Sequence, residues 1–150
     1  MSTTQQNTDA SAPQDVGNRA GDASRSTQFV PSVLVLEDDR NYRRAVKRVL
    51  ERAGLGVLTA RDEQEAAAHF ETSDRIDLLL ADVILPDGDG REIAGRFAAQ
   101  HPHLKVLFMS AYEEDELESF GASIEGDYIS KEAGELRLAE VVSRTLRMGR

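Results

Sequence analysis

The sequence predicts an α/β fold: a doubly wound, five-stranded parallel sheet with helices on both faces. Three observations predict it. From Ser32 onward, short apolar runs rich in Val, Leu and Ile alternate with segments of helical period, the pattern of a parallel sheet covered on both sides. The strand-then-helix unit repeats five times. The connections are short, and right-handed crossovers must then place helices on both faces, in a flavodoxin-like strand order 2-1-3-4-5.

The first strand is the run 33–36. The helix after it is the clearest element, because Tyr42, Ala45, Val46, Val49, Leu50 and Ala53 recur at three- and four-residue spacing before Gly54 stops it. Residues 56–60 form the second strand. Asp62 with Glu65 has the form of a capping box ahead of Ala66, Ala67 and Phe70, so the second helix starts there. The third strand covers 77–81, and the third helix runs from about Arg91 with Ile93, Ala94 and Phe97 inward. The fourth strand covers 104–109. Residues 113–120 offer only Leu117 and Phe120 to a core and carry five acids among eight residues, which predicts a short or mobile helix. A fifth strand at 127–130 precedes a last helix over 134–147, with Leu138, Val141, Val142 and Leu146 on its apolar side.

The chain has 150 residues and 40% hydrophobic content, enough for one core of ordinary domain size and too little for two. Residues 1–31 read as a disordered N-terminal tail, since their only large apolar side chains are Met1, Val16, Phe29 and Val30. The folded domain is then 32–150. A formal charge of −9 repels a phosphate backbone, so neither DNA nor RNA is expected as the main partner. The absence of cysteine removes disulfides, thiol nucleophiles and sulfur-built zinc sites, and a reducing cytoplasm is the expected compartment. No apolar run approaches the ~18–20 residues of a membrane span, and the N-terminus lacks the regions of a signal peptide, so no membrane contact is expected.

In doubly wound sheets ligands bind beyond the carboxyl ends of the strands, near the switch point between strands one and three. Strand one runs into Glu37, Asp38 and Asp39, and strand three into Asp82. An acidic triplet alone is commonly a solvated turn or a helix cap. Neighbouring strands lie ~4.8 Å apart, however, so carboxylates at their ends repel unless one is protonated or a cation sits between them. Oxygen donors of this kind suit a hard divalent ion such as Mg2+. Strand four ends at Ser110 and Ala111, and Lys131 follows strand five. A carboxylate nucleophile, a metal site, a hydroxyl and an ammonium at one sheet edge are the parts that hold a phosphoryl group. Asp87-Gly88-Asp89-Gly90 resembles part of a calcium loop but lacks the spacing and the closing glutamate, and it reads as a tight turn. His69, His101 and His103 share no ligand spacing.

On these residues the chain resembles the receiver domain of two-component response regulators. The resemblance covers about residues 33–146 and rests on Val33-Leu34-Val35-Leu36-Glu37-Asp38, on the stretch from Asp82 through Gly90, on Phe108-Met109-Ser110-Ala111 and on Tyr128-Ile129-Ser130-Lys131. Residues 106–112 are also similar, more loosely, to receivers attached to hybrid histidine kinases. The resemblance implies that Asp82 is the phosphoacceptor, taking a phosphoryl group from phosphohistidine on a histidine kinase or a histidine phosphotransfer protein. It implies Mg2+ as cofactor, held by Asp38 directly, by Glu37 through water, by Asp82 and by the carbonyl of Ile84. Ser110 and Lys131 would contact the phosphoryl oxygens, and small Ala111 would leave the donor room. Ser110 and Tyr128 would form the switch, and the surface of helix four, strand five and helix five would signal to an output protein or form a homodimer. Such a chain phosphorylates itself and is expected to turn over no external substrate.

Two departures stand out. Family members usually carry Pro after the last-strand lysine with a cis bond between them, whereas this chain has Lys131-Glu132. A non-proline cis bond costs ~2.5–4 kcal/mol, so a trans bond and a different path into the last helix are expected, which puts the reach of Lys131 in question. Ile84 and Tyr112 occupy the positions two beyond the acceptor and the serine, and neither orients water, which predicts a long-lived phosphoryl state. A phosphorylation-independent receiver-like adaptor is the alternative reading, and an aspartyl-phosphate hydrolase a more distant one, since position 84 is Ile where an acid/base Asp would be needed.

Overall fold

The computed structural model describes residues 29–119 and 127–148, with only the backbone of Glu114. The expected tail falls outside the described residues except for its last three, and so does Phe120. The elements in chain order are β1 (Ser32–Leu36), α1 (Arg40–Arg52), β2 (Gly56–Ala60), α2 (Glu63–Thr72), β3 (Leu78–Asp82), β4 (Ile84–Leu85), β5 (Gly88–Asp89), α3 (Gly90–Gln100), β6 (Lys105–Ser110), α4 (Glu114–Ser119), β7 (Asp127–Ser130) and α5 (Glu135–Arg147).

Five strands form one parallel sheet in the order β2-β1-β3-β6-β7. With β4 and β5 set aside as a separate pair, this is the expected 2-1-3-4-5. Each strand sends alternate side chains to opposite faces, and two clusters result. On one face Leu34, Leu36, Leu79, Ala81 and Phe108 meet Ala66, Ile93, Ala94, Phe97 and Leu117 from α2, α3 and α4. On the other, Val33, Val35, Leu78, Leu80, Leu107 and Met109 meet α1 and α5 through residues such as Val46, Leu50, Leu138 and Val142. Burying a Leu or Val side chain contributes roughly 1.5–3 kcal/mol, and β3, buried along its whole length, is the centre of this core.

The helix ends follow the sequence signals. Asp39 caps α1 by accepting from the N–H groups of Asn41 (2.9 Å) and Tyr42 (3.2 Å), and Gly54 takes φ +91° beyond its last turn. Asp62 accepts from Glu65 N at 2.9 Å, while Glu65 accepts in return from Arg61 N at 2.9 Å.

The reading of residues 87–90 as a plain turn needs correction. Only Pro86 and Asp87 turn; Ile84 pairs with Asp89 and Leu85 with Gly88 in an antiparallel hairpin, and α3 begins at Gly90. The reason for Gly90 is tertiary: a Cβ there would lie 1.8 Å from the carbonyl oxygen of Asp82. The hairpin thus folds α3 back against the end of β3. Helix α4 is short as expected, six residues held by fully buried Leu117. Among the described residues no helix is long and apolar enough to cross a membrane.

Candidate functional site

The topology brings the ends of β1, β3, β6 and β7 to one sheet edge. In register, Leu36 stands beside Ala81, Asp82 beside Met109 and Ser110 beside Ser130. The residues next along the chain are therefore neighbours in space. Glu37, Asp38 and Asp82 place carboxylate oxygens within 4.8 Å of one another, with Glu37 and Asp82 buried and Asp38 exposed. Lys131, just past β7, reaches in between. Its Nζ lies 2.7 Å from Glu37 Oε1 and 2.8 Å from Asp82 Oδ2. The departure at Glu132 does not shorten that reach. The described backbone holds no cis peptide, and the turn is made by other bonds: Lys131 N donates to Ser110 O (2.8 Å), Glu132 N to Ser130 Oγ (3.1 Å) and Ala133 N to Ser130 O (3.0 Å).

Each acidic oxygen in the cluster has few partners. Glu37 Oε2 accepts from Asp39 N at 3.0 Å, whereas buried Oε1 meets only the Lys131 ammonium. Asp82 Oδ1 accepts from Ile84 N at 3.1 Å. Burial pushes the Glu37 carboxyl up to about 7; Lys131 and the Asp39 N–H pull against it, and nearby Asp82 adds to the rise. Burial alone would lower Lys131, but its hydrogen bonds to Asp82 and Glu37 win and hold it above an ordinary lysine. One ammonium thus faces two buried carboxylates and a third at the rim. The excess negative charge, on oxygen donors only, fits a small hard divalent cation, and Mg2+ suits it.

Ser110 is buried at the end of β6, its hydroxyl oxygen accepting from Tyr112 N at 3.1 Å. Tyr128 is half-buried on β7, and its hydroxyl donates to the carbonyl of Tyr112, the residue two beyond Ser110. Ile84, two residues past Asp82, is 46% exposed, and Tyr112, two past Ser110, is 40% exposed. His69 bonds the carbonyl of Thr59 and His101 stacks on Phe70, so neither belongs to this edge.

Three contributors escaped the sequence reading. The Tyr42 ring lies 4.8 Å under Lys131 Nζ, a cation–π contact that steadies the ammonium, and burial raises the tyrosine's own pKa. Arg43 Nη1 donates to the carbonyls of Glu37 (2.8 Å) and Asp38 (3.3 Å), bracing the acidic turn. Gly90 admits α3 against Asp82. Both Tyr42 and Arg43 lie in the first turn of α1, where Tyr42 was legible only as an apolar-face position and Arg43 gave no signal; glycine directly after a capping Asp was the one available hint for the third.

The profile of the Response regulator receiver domain family matches residues 33–143. Among curated proteins, the response regulator receiver protein CpdR of Brucella abortus is 35% identical over 80 residues, covering 53% of this chain and 66% of that protein. The sensor kinase CckA of the same species is 32% identical over 85 residues, 56% of this chain and 9% of that protein. The chain spans less than two thirds of either relative's length. Among solved structures, the response regulator TrrA of Thermotoga maritima, in complex with Mg2+–BeF, is 28% identical with a TM-score of 0.64, over 77% of this chain and 99% of that one.

Proposed function

The chain belongs to the response regulator receiver domain family of two-component systems, and on that premise we propose that Asp82 accepts a phosphoryl group from phosphohistidine. The observation that carries the reading is the Lys131 ammonium, 2.8 Å from Asp82 and 2.7 Å from Glu37 at the carboxyl edge of the sheet. A carboxylate oxygen of Asp82 attacks the phosphorus in line with the imidazole nitrogen. The phosphorus–nitrogen bond breaks, its electron pair returns to the ring, the nitrogen takes up a proton, and an acyl phosphate is left on Asp82. Such a step depends on placing the nucleophile and neutralising the equatorial oxygens.

Glu37, Asp38, Asp82 and the carbonyl of Ile84 would hold Mg2+, which when bound supplies positive charge to the phosphoryl oxygens. Lys131 offers its ammonium to the same oxygens from the other side, and Ser110 its hydroxyl. Tyr128 is the aromatic that answers a movement of Ser110, through its bond to the Tyr112 carbonyl, and the α4–β7–α5 surface carries the signal to a protein partner. The donor is a histidine kinase or a histidine phosphotransfer protein. The chain acts on its own side chain and releases no product from an external substrate. Ile84 at the position an acid/base carboxylate would need argues against a hydrolase.

Acetyl phosphate with Mg2+ tests the reading. The wild-type chain is expected to gain the mass of one phosphoryl group, and Asp82→Asn or removal of Mg2+ to abolish the gain. A wild-type chain that gains nothing contradicts it and favours a phosphorylation-independent adaptor.

A further inference from the structure

The core between the sheet and the α1–α5 pair is built from Val, Leu, Ile, Met and Ala, and among the described residues Tyr42 is its one aromatic. Tyr42 stands in the first turn of α1, tied to the acidic turn on both sides. Its N–H donates to the capping Asp39 at 3.2 Å, and the next residue, Arg43, donates to the carbonyls of Glu37 and Asp38. Among the described residues no group bonds the Tyr42 hydroxyl, so what this side chain offers its neighbours is the face of its ring.

That face lies against Lys131. A lysine carries its charge on a flexible four-carbon stem, and Lys131 sits in a turn beyond the last strand, so neither its own chemistry nor the sheet ladder fixes the ammonium. Three groups do: Glu37 Oε1 at 2.7 Å, Asp82 Oδ2 at 2.8 Å and the Tyr42 ring, with Nζ 4.8 Å from its centroid. The first two are conditional. On the phosphoacceptor reading the Asp82 oxygens go to the phosphoryl group and the metal ion, and Glu37 faces that ion as well. The ring differs in kind, because a π face attracts a cation electrostatically and is no ligand for a hard divalent ion, which takes oxygen donors. The Tyr42 contact is therefore the one that survives loading of the site.

We propose that Tyr42 is a positioning residue, whose ring holds the Lys131 ammonium at the sheet edge while Glu37 and Asp82 are engaged elsewhere; the inference rests on the phosphoacceptor reading above. Without the ring, an ammonium released by the carboxylates swings toward solvent, and fewer molecules present it to the phosphoryl oxygens. A transfer that depends on charge already in place slows when that charge wanders by about an ångström. Leucine would fill the same apolar space, and only an aromatic adds the attraction.

The test uses the full chain as wild type, Tyr42→Phe, Tyr42→Leu and Val49→Ala, the last removing packing from the same helix face away from Lys131. Proton–carbon spectra follow the lysine ε-methylene groups, few enough to assign as Lys47, Lys105 and Lys131. In chelator the Lys131 signal is expected upfield of exposed Lys47, from the ring current, in wild type and Tyr42→Phe, and beside Lys47 in Tyr42→Leu. In wild type it is expected to stay upfield when Mg2+ and beryllofluoride are added. With acetyl phosphate and Mg2+, intact mass is expected to show Tyr42→Leu slowed about fivefold or more, with Tyr42→Phe and Val49→Ala within about twofold of wild type. A wild-type Lys131 signal beside Lys47, in chelator or after loading, overturns the inference, and it can be read even if a variant fails to fold. So does Tyr42→Leu reacting like wild type, or Tyr42→Phe or Val49→Ala as slow as Tyr42→Leu. Each of these leaves the phosphoacceptor reading standing, because the wild type still gains its phosphoryl group. A wild type that gains none overturns that reading and this inference with it.

Discussion

A single ammonium, that of Lys131, compensates two buried carboxylates, and a divalent cation at the site would compete with it for the same oxygens. Lys131→Ala is therefore expected to lower stability by about 2 kcal/mol in chelator, as removing one partner of a largely buried pair does. Mg2+ should restore more stability to the variant than it adds to the wild type, because the cation no longer displaces an ammonium. Urea denaturation with and without Mg2+ reads both, and an equal Mg2+ response in the two proteins would contradict the shared-oxygen geometry. Gly90→Ala forces a methyl group into the Asp82 carbonyl, a backbone clash no rotamer relieves, and is expected to cost more than about 2 kcal/mol by the same assay. At this scale the acids were legible in the sequence, because strand periodicity alone sets Glu37, Asp38 and Asp82 at strand ends. The reach of Lys131 and the need for Gly90 were not. Both depend on contacts between segments far apart in the chain, and for Lys131 the local signal, Glu132 in place of Pro, pointed the wrong way.

Among the elements, α3 depends on its first turn. Asp89 caps it by accepting from Arg91 N at 2.8 Å, and the Arg91 side chain folds back onto the same carboxylate. That hydrogen bond holds the Asp89 carboxyl below its ordinary range, against the opposing effect of burial. A depressed pKa means stability that is complete above the unfolded carboxylate's pKa, near 4, and lost as pH falls through the folded value. Asp89→Ala is expected to cost about 1 kcal/mol at neutral pH, with the gap to wild type closing in acid; a gap independent of pH would contradict the assigned cause. Among the described residues of helix α4 only Leu117 is buried, and the helix amides are expected to exchange with solvent faster than those of α1 or α5. Helix periods and caps were readable because they are local. The hairpin of β4 and β5 was not, since two-residue strands carry no period to read.

Across the whole molecule, the strand order turns distant segments into one edge: β1 and β3 supply the acids, β6 the hydroxyl and β7 the ammonium. The same edge is flanked by Ile84 and Tyr112, apolar and aromatic groups that neither orient nor deprotonate an attacking water. A phosphoryl group on Asp82 is expected to last minutes or longer in Mg2+, followed by intact mass after removal of the donor; decay within seconds would count against the shielding. That edge was foreseeable because alternating strands and helices with right-handed crossovers give a parallel sheet whose carboxyl ends share one edge, which needs no side-chain detail. The measurement closest to the central claim is chemical trapping of the phosphorylated chain with borohydride, followed by peptide mass mapping. The account predicts reduction of one carboxyl to an alcohol, in the peptide that contains Asp82 and at that residue. Reduction at Glu37 or Asp38, or no trapped residue in a chain that carries phosphate, would contradict it.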